Sequence, residues 1–346
     1  MEKFNTKKLF NILSLLVPIG FIIYFLVSEN GLIDLINYAS KFNFFWLFLG
    51  FLFQILNIIV DGMILYKFVK NYDNNYSISK AVRTTCVGQF YTAITPGGVG
   101  GQPAQIYSLT KQNINTGVSS ACLIQKFLIY QTIITIYSLV SIVFNINMFF
   151  GESKSLMIFL AAFGFISHAI VIIFIFMFSV SKKLTDRIIN FCLNFLFKVK
   201  IIKNIEKTKN NITEQLEKFH ESNMSLYKNK RLLVNISFLV ILQLTFMFSI
   251  PYMIYRAFNF SGASIFDMIT AQAIVTMISS FMPLPGGSGA AESSFYLFFS
   301  MFFTENTIKS AILVWRLITY FLNIIIFAPF ANVNKIRGKA TKTGNK

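Results

Sequence analysis

Pro96-Gly97-Gly98-Val99-Gly100 recurs as Pro285-Gly286-Gly287-Ser288-Gly289, 189 residues further along the chain. The same offset carries the flanks with it. The apolar run 44–66 falls on 232–256, and 117–147 falls on 307–332. Gln54 falls on Gln243, and Lys126 falls one residue from the counterpart of Arg316. Each motif interrupts a stretch, 81–112 or 264–303, that is apolar yet broken by proline and glycine. The first stretch is too short for two membrane spans of roughly 20 residues each, and the second is broken near its middle. The repeating unit is therefore an apolar helix, an interrupted hairpin and a second apolar helix, running 44–147 in the first copy and 232–332 in the second.

Composition fixes the solvent. The chain has 346 residues, 55% hydrophobic and 13% charged, with 41 Phe and 14 Tyr. A soluble domain carries roughly 25% charged residues, so an ordinary soluble enzyme is excluded. Disorder is excluded too, because it requires low hydrophobicity. The length accommodates about eight membrane-crossing or membrane-dipping elements of ~20 residues, with no room left for a separate soluble catalytic domain. Full spans are expected at 9–27, 44–66, 117–147, 156–180, 232–256 and 307–332. The first follows a basic start and has no A-x-A site after it, so it reads as a retained helix.

Charge sets the orientation. Lys+Arg outnumber Asp+Glu by 31 to 14, for a net charge of +17. In a membrane protein this excess marks cytoplasmic loops and attraction to anionic lipid, not nucleic acid. Segment 181–231 holds twelve basic and five acidic residues, and the tail 333–346 carries Lys335, Arg337, Lys339, Lys342 and Lys346 with no acid. Both, with the N-terminus, are placed in the cytoplasm. Tracing the spans between these anchors makes 81–112 begin and end on the cytoplasmic side and 264–303 begin and end outside. Two re-entrant hairpins in an inverted-topology repeat are the economical result, with paired short spans as the alternative. Such repeats place a binding site near the bilayer midplane, at the ends of broken helices. Within 181–231, Leu184 to Ile202 reads as an amphipathic helix in the cytoplasmic interface, and the remainder to Lys230 as a polar helix or linker.

The chemistry on offer is recognition of an anion. The motif residues Pro96, Gly97, Gly98 and Gly100, and Pro285, Gly286, Gly287 and Gly289, each precede a helix start. Free N–H groups and the positive dipole end bind phosphate there. Gln102 and Gln105 follow the first motif as hydrogen-bonding groups. Lys126 and Arg316 lie about ten residues into their helices, near the midplane, where charges are costly and face a cavity or a partner. They are assigned to a headgroup phosphate. Glu292 sits in the first turn after the second motif, to complement the dipole, balance a cation or meet a cationic headgroup. Asp61 is expected paired or hydrated near its helix end, His168 packed and His220 solvated. Cys86, Cys122 and Cys192 have no zinc or disulfide spacing, and no nucleophile–base pair, Walker sequence or metal motif is present. No cofactor and no metal are expected.

Thr95-Pro-Gly-Gly-Val-Gly-Gly-Gln-Pro-Ala-Gln105, Leu284-Pro-Gly-Gly-Ser-Gly-Ala-Ala-Glu292 and Trp315-Arg-Leu-Ile-Thr-Tyr320 resemble the lysylphosphatidylglycerol synthase transmembrane-region family, also called flippase-like. The resemblance covers nearly the whole chain. It implies a membrane module that flips lysylphosphatidylglycerol to the outer leaflet, lowering the binding of cationic antimicrobial peptides. In the two-domain members, a cytoplasmic domain first transfers lysine from lysyl-tRNA to phosphatidylglycerol; here the chain ends at Lys346 without it. Many relatives carry Glu and Arg where this chain has Gln102 and Gln105, and Glu-Arg where it has Gln125-Lys126. Glu292 and Arg316 match the family pattern. The expectation is an all-α polytopic protein of the cell membrane, six full spans and two hairpins. It would move an anionic-phosphate lipid (lysylphosphatidylglycerol, another phospholipid or a polyprenyl-phosphate lipid) between leaflets. The rivals are a phosphatidylglycerol lysyltransferase and a scaffold for a partner synthase. A monomer and a homo-oligomer both fit the Phe-rich surface.

Overall fold

The computed structural model describes residues 40–145, 155–198 and 205–331. The expected span 9–27 and the basic tail 333–346 lie outside the described residues. The described residues form helices joined by turns and short loops, with no strand among them. In chain order the helices are α1 (Phe44–Lys70), α2 (Ile78–Ile94), α3 (Gly101–Lys111), α4 (Thr116–Phe144), α5 (Ser155–Val180), α6 (Lys182–Lys198), α7 (Ile205–Lys228), α8 (Lys230–Ala257), α9 (Ile265–Ser279), α10 (Ala290–Phe299), α11 (Glu305–Arg316) and α12 (Leu322–Phe327). A π-turn, Leu317–Phe321, joins α11 to α12.

Local sequence starts the helices where capping chemistry allows. The Asn43 side chain accepts the Phe45 N–H at 3.2 Å, Asn115 accepts that of Gly117 at 2.8 Å, and Asn229 that of Leu232 at 3.1 Å. At α9, Ser264 and Asp267 cap each other reciprocally. Each bond satisfies a donor that the first helical turn leaves open.

Among the described residues, five helical segments are long and apolar enough to cross a membrane: Phe44–Lys70, Thr116–Phe144, Ser155–Val180, Lys230–Ala257 and Glu305–Phe330. They fall on five of the six expected spans. On α5, Phe159, Ile166, Ile170 and Phe174 all stand exposed, as side chains do when their solvent is hydrocarbon. The broken stretches fold as α2–Pro96–Gly98–α3 and α9–Pro285–Gly287–α10, with helices of 17, 11, 15 and 10 residues. None reaches the roughly 20 residues of a full span.

The broadest helix contact is between α1 and α8, the first helices of the two repeat units. One core gathers Ile64, Phe68, Leu123 and Phe248 around α1, α4 and α8. The other gathers Ile250, Phe295, Phe299 and Trp315 around α8, α10 and α11. The hairpins lie against these two cores with their turns facing each other.

Among its described residues, the basic segment forms the two helices α6 and α7. In α6, Phe191, Phe195 and Phe197 stay exposed while Leu193 is buried; the end of the expected amphipathic stretch, 199–202, lies outside the described residues. The choice between polar helix and linker for the remainder falls to the helix, because α7 docks on α4. Gly117 N–H donates to Gln215 Oε1 at 3.1 Å, Tyr72 OH to the Ser222 carbonyl at 2.6 Å, and Asn223 Nδ2 to the Ser179 carbonyl at 2.6 Å. This docking corrects the expectation for His220. The ring is buried, 4% exposed, because α7 turns that face inward with Phe219 and Asn223. His168 is packed as expected, edge-on to Phe281 at 4.9 Å between centroids.

Candidate functional site: two glycine tips and two buried ion pairs

The first tip is built by Thr95. Its hydroxyl donates to the Tyr91 carbonyl at 2.6 Å and accepts the Gly100 N–H at 2.9 Å. Gly97 and Gly98 take left-handed backbone, φ 59° and 67°. Gln102 is exposed at the start of α3. Gln105 is buried, and its amide lies against Gly88 of α2 where a Cβ would collide with it. Gln105 therefore serves the close approach of the two hairpin arms.

The second tip is tied to α11 and to the π-turn. Arg316 Nη1 donates to the Gly286 carbonyl at 2.9 Å, and its Nε sits 2.7 Å from Glu292 Oε1. The other carboxylate oxygen, Oε2, accepts the Gly289 N–H at 2.7 Å. Glu292 thus caps α10 and neutralises Arg316 at once. Arg316 is 6% exposed, and its Nη2 has no partner among the described residues. The guanidinium is flanked by the Trp315 and Tyr320 rings, 5.0 and 5.4 Å from its central carbon. Tyr320 then bridges the two hairpins. Its ring fills the space over Gly286, and its hydroxyl donates to the Ala93 carbonyl in the first hairpin at 2.9 Å. The two Pro-Gly-Gly turns touch each other directly.

A second ion pair lies between α1 and α4. Lys126 Nζ stands 2.8 Å from Asp61 Oδ1, with Asp61 buried and Lys126 half-buried. Gln243 Nε2 of α8 donates to the same oxygen at 3.3 Å.

The structure therefore gathers Gly286, Gly289, Glu292 and Arg316 into one cluster and brings the first tip against it through Tyr320. Lys126 belongs to a separate cluster with Asp61; no contact among the described residues joins it to Arg316. Sequence reasoning missed the bridging role of Tyr320. Its signal was indirect: Tyr320 lies four residues after Arg316, one turn away on the same helix face. It also missed a row of buried amides, Gln54, Asn57 and Asn323. The i, i+3, i+7 spacing of Gln54, Asn57 and Asp61 on an otherwise apolar helix was the available sign.

These features define a multi-pass helical membrane protein with two glycine-tipped hairpins closed on a buried arginine–glutamate pair. The chain belongs to the lysylphosphatidylglycerol synthase TM region family, whose model matches residues 11–326. It is also similar to a UPF0104 membrane protein of Archaeoglobus fulgidus, 26% identical over 319 residues. That match covers 88% of this chain and 90% of the relative.

Proposed function

We propose that this protein carries a phosphate-bearing lipid between the leaflets of the cell membrane, with both termini in the cytoplasm. The headgroup docks at the meeting point of the two glycine tips, and the tails stay in the bilayer. The observation that carries this reading is the Arg316 guanidinium, buried at the tip contact with Nη2 unpartnered among the described residues. An unmatched charged donor in a low-dielectric site is costly, and a phosphate oxygen is its natural partner. Family membership supports the assignment to lipid chemistry.

In the lipid-free protein, Glu292 acts as the internal anion of Arg316, and Asp61 as that of Lys126. Phosphate docking shifts the balance at Arg316 and loosens Glu292 from the tip. The hairpins re-enter from opposite faces in this reading, related by an inverted repeat, so rocking one repeat against the other exposes the tips to either leaflet. Basic α6 and its exposed phenylalanines rest on the anionic cytoplasmic surface.

The test is transport of acyl-labelled phospholipid in proteoliposomes. Arg316→Ala should slow transport at least tenfold, Lys126→Ala and Gln102→Ala less, with each variant eluting as a folded species. Wild-type rates in all three would overturn the site.

A further inference from the structure

His168 lies at the middle of the apolar span Ser155–Val180, on α5. Its side chain is wholly buried, 0% exposed. Neither ring nitrogen has a hydrogen-bond partner among the described residues. The Met277 carbonyl faces the ring without reaching hydrogen-bond geometry. A neutral imidazole has one N–H to donate and one bare nitrogen to accept with. Leaving both unmet in a dry site is costly. A phenylalanine, of which the chain has 41, would pack against Phe281 without that cost.

The wall over the ring is the second hairpin. Gly164, one turn before His168, packs so closely on α9 that a Cβ there would meet the Met277 Cβ at 3.2 Å. His168 meets Phe281, one turn after Met277, with ring centroids 4.9 Å apart. The contacts step together, Gly164 to His168 and Met277 to Phe281, so α5 and α9 run in the same direction. The end of α9, and the Pro285–Gly287 turn just beyond it, therefore arrive beside the middle of a full span.

No counter-charge stands by the ring. α5 carries no charged side chain. On α9 there is only Asp267, occupied in capping Ser264. On α4 there is Lys126, held by Asp61, while Tyr130 and Tyr137 pack into the core between α1, α4 and α8. Lys182, Asp186 and His220 gather around Ser179, eleven residues or about 16 Å further along α5. An imidazolium sealed under α9 would thus be a buried, unpaired charge.

We infer that His168 is the proton-binding site of the transport cycle: the ring is neutral while α9 is seated on α5, and takes up a proton when the second hairpin withdraws. Ionisable side chains inside spans typically serve such relays. Withdrawal lets water reach the ring. The bare nitrogen then gains a proton from that water, and both nitrogens donate to it. The sealed hairpin excludes the charged ring, so by linkage acid favours the withdrawn state. The inference rests on the proposed transport reading for the motion of the hairpin.

Two experiments test it, and they fail separately. The chain has two histidines, so on a His220→Gln background without a histidine tag His168 is the sole imidazole. Nitrogen-15 NMR of the histidine-labelled chain in detergent reads its charge directly. At pH 6 the imidazolium signal should be weak, and roughly tenfold stronger when Tyr320→Phe is added, because that change removes one hydrogen bond tying the tips together. Equal signals overturn the inference. In proteoliposomes, transport of acyl-labelled phospholipid by His220→Gln should rise as the pH falls from 8 to 6, by at most tenfold per pH unit, the limit for one proton. Adding His168→Phe, which keeps an aromatic ring, or His168→Gln, which keeps a polar group, should abolish that rise. A rise that persists in a folded His168 variant, or a flat profile in His220→Gln, also overturns the inference. If the NMR result holds but no lipid moves at any pH, the proton site stands and the transport reading falls.

Discussion

Gly286 shows how one residue can be fixed by two independent demands. Its φ of 62° lies in the left-handed region, which costs an L side chain about 1 kcal/mol or more. Its missing side chain is also the space taken by the Tyr320 ring, and that ring must sit there for the hydroxyl to reach Ala93 in the other hairpin. Gly286→Ala should therefore destabilise by roughly 2–4 kcal/mol, as backbone strain and displacement of a buried ring add. Tyr320→Phe keeps the ring and removes only the bridge. It should cost about 1–2 kcal/mol, because the Ala93 carbonyl is left without its donor. Thermal unfolding in detergent reads both. A Tyr320→Phe loss larger than that of Gly286→Ala would show that the bridge outweighs the tip geometry, contrary to this account.

At the scale of elements, the docked α7 carries the clearest pH dependence. Burial lowers the affinity of His220 for a proton, Lys182 adds repulsion, and Asp186 and the Ser179 carbonyl partly oppose both. The folded ring thus protonates below the usual histidine value of 6.5. Acid then favours the unfolded chain. Stability holds above about pH 6.5, falls as pH drops through that value, and levels off once the folded ring itself takes the proton. The unfolding temperature of wild type should decline as the pH falls below about 6.5, and His220→Gln should flatten that decline while changing little at pH 8. An unchanged slope in the variant would remove His220 as the cause. This element also marks the limit of what the sequence discloses. The five described spans and the two glycine turns follow from local composition and are legible in the sequence. So is the Glu292–Arg316 pair, foreseen as one way to balance a cation. The docking of α7 was not legible, because its polar residues look solvated until Gln125, Ser179 and Asn223 meet across three helices. Lys126 was assigned to the phosphate and is found on Asp61. That choice of partner depends on how α1 and α4 pack, a distance of 65 residues in sequence. The amide chain from Asn57 to Asn323 is equally non-local.

For the whole molecule, the decisive matter is which side of the membrane each connection faces. The hairpin arms are each too short to span, and their tips touch. If both hairpins re-enter from opposite faces, the two ends of each must share a side. The connections before α2 and after α3 then belong to one face, and those before α9 and after α10 to the other. Single cysteines placed on a Cys192→Ser background, with Cys86 and Cys122 left buried, make this measurable. Asn74 and Lys111 are exposed at the ends of the first hairpin, Ser261 and Ser300 at the ends of the second. An impermeant maleimide applied to sealed cells should label Ser261→Cys and Ser300→Cys, and leave Asn74→Cys and Lys111→Cys for labelling only after permeabilisation. Splitting of either pair would mean that the hairpin crosses the bilayer. The tips would then not approach from opposite faces, and alternating access by two mirrored hairpins would lose its geometric basis. The pairwise pattern follows because a chain whose ends share a face while its glycine turn reaches an oppositely inserted partner delivers Arg316 and Tyr320 to the bilayer interior, where the proposed headgroup path runs.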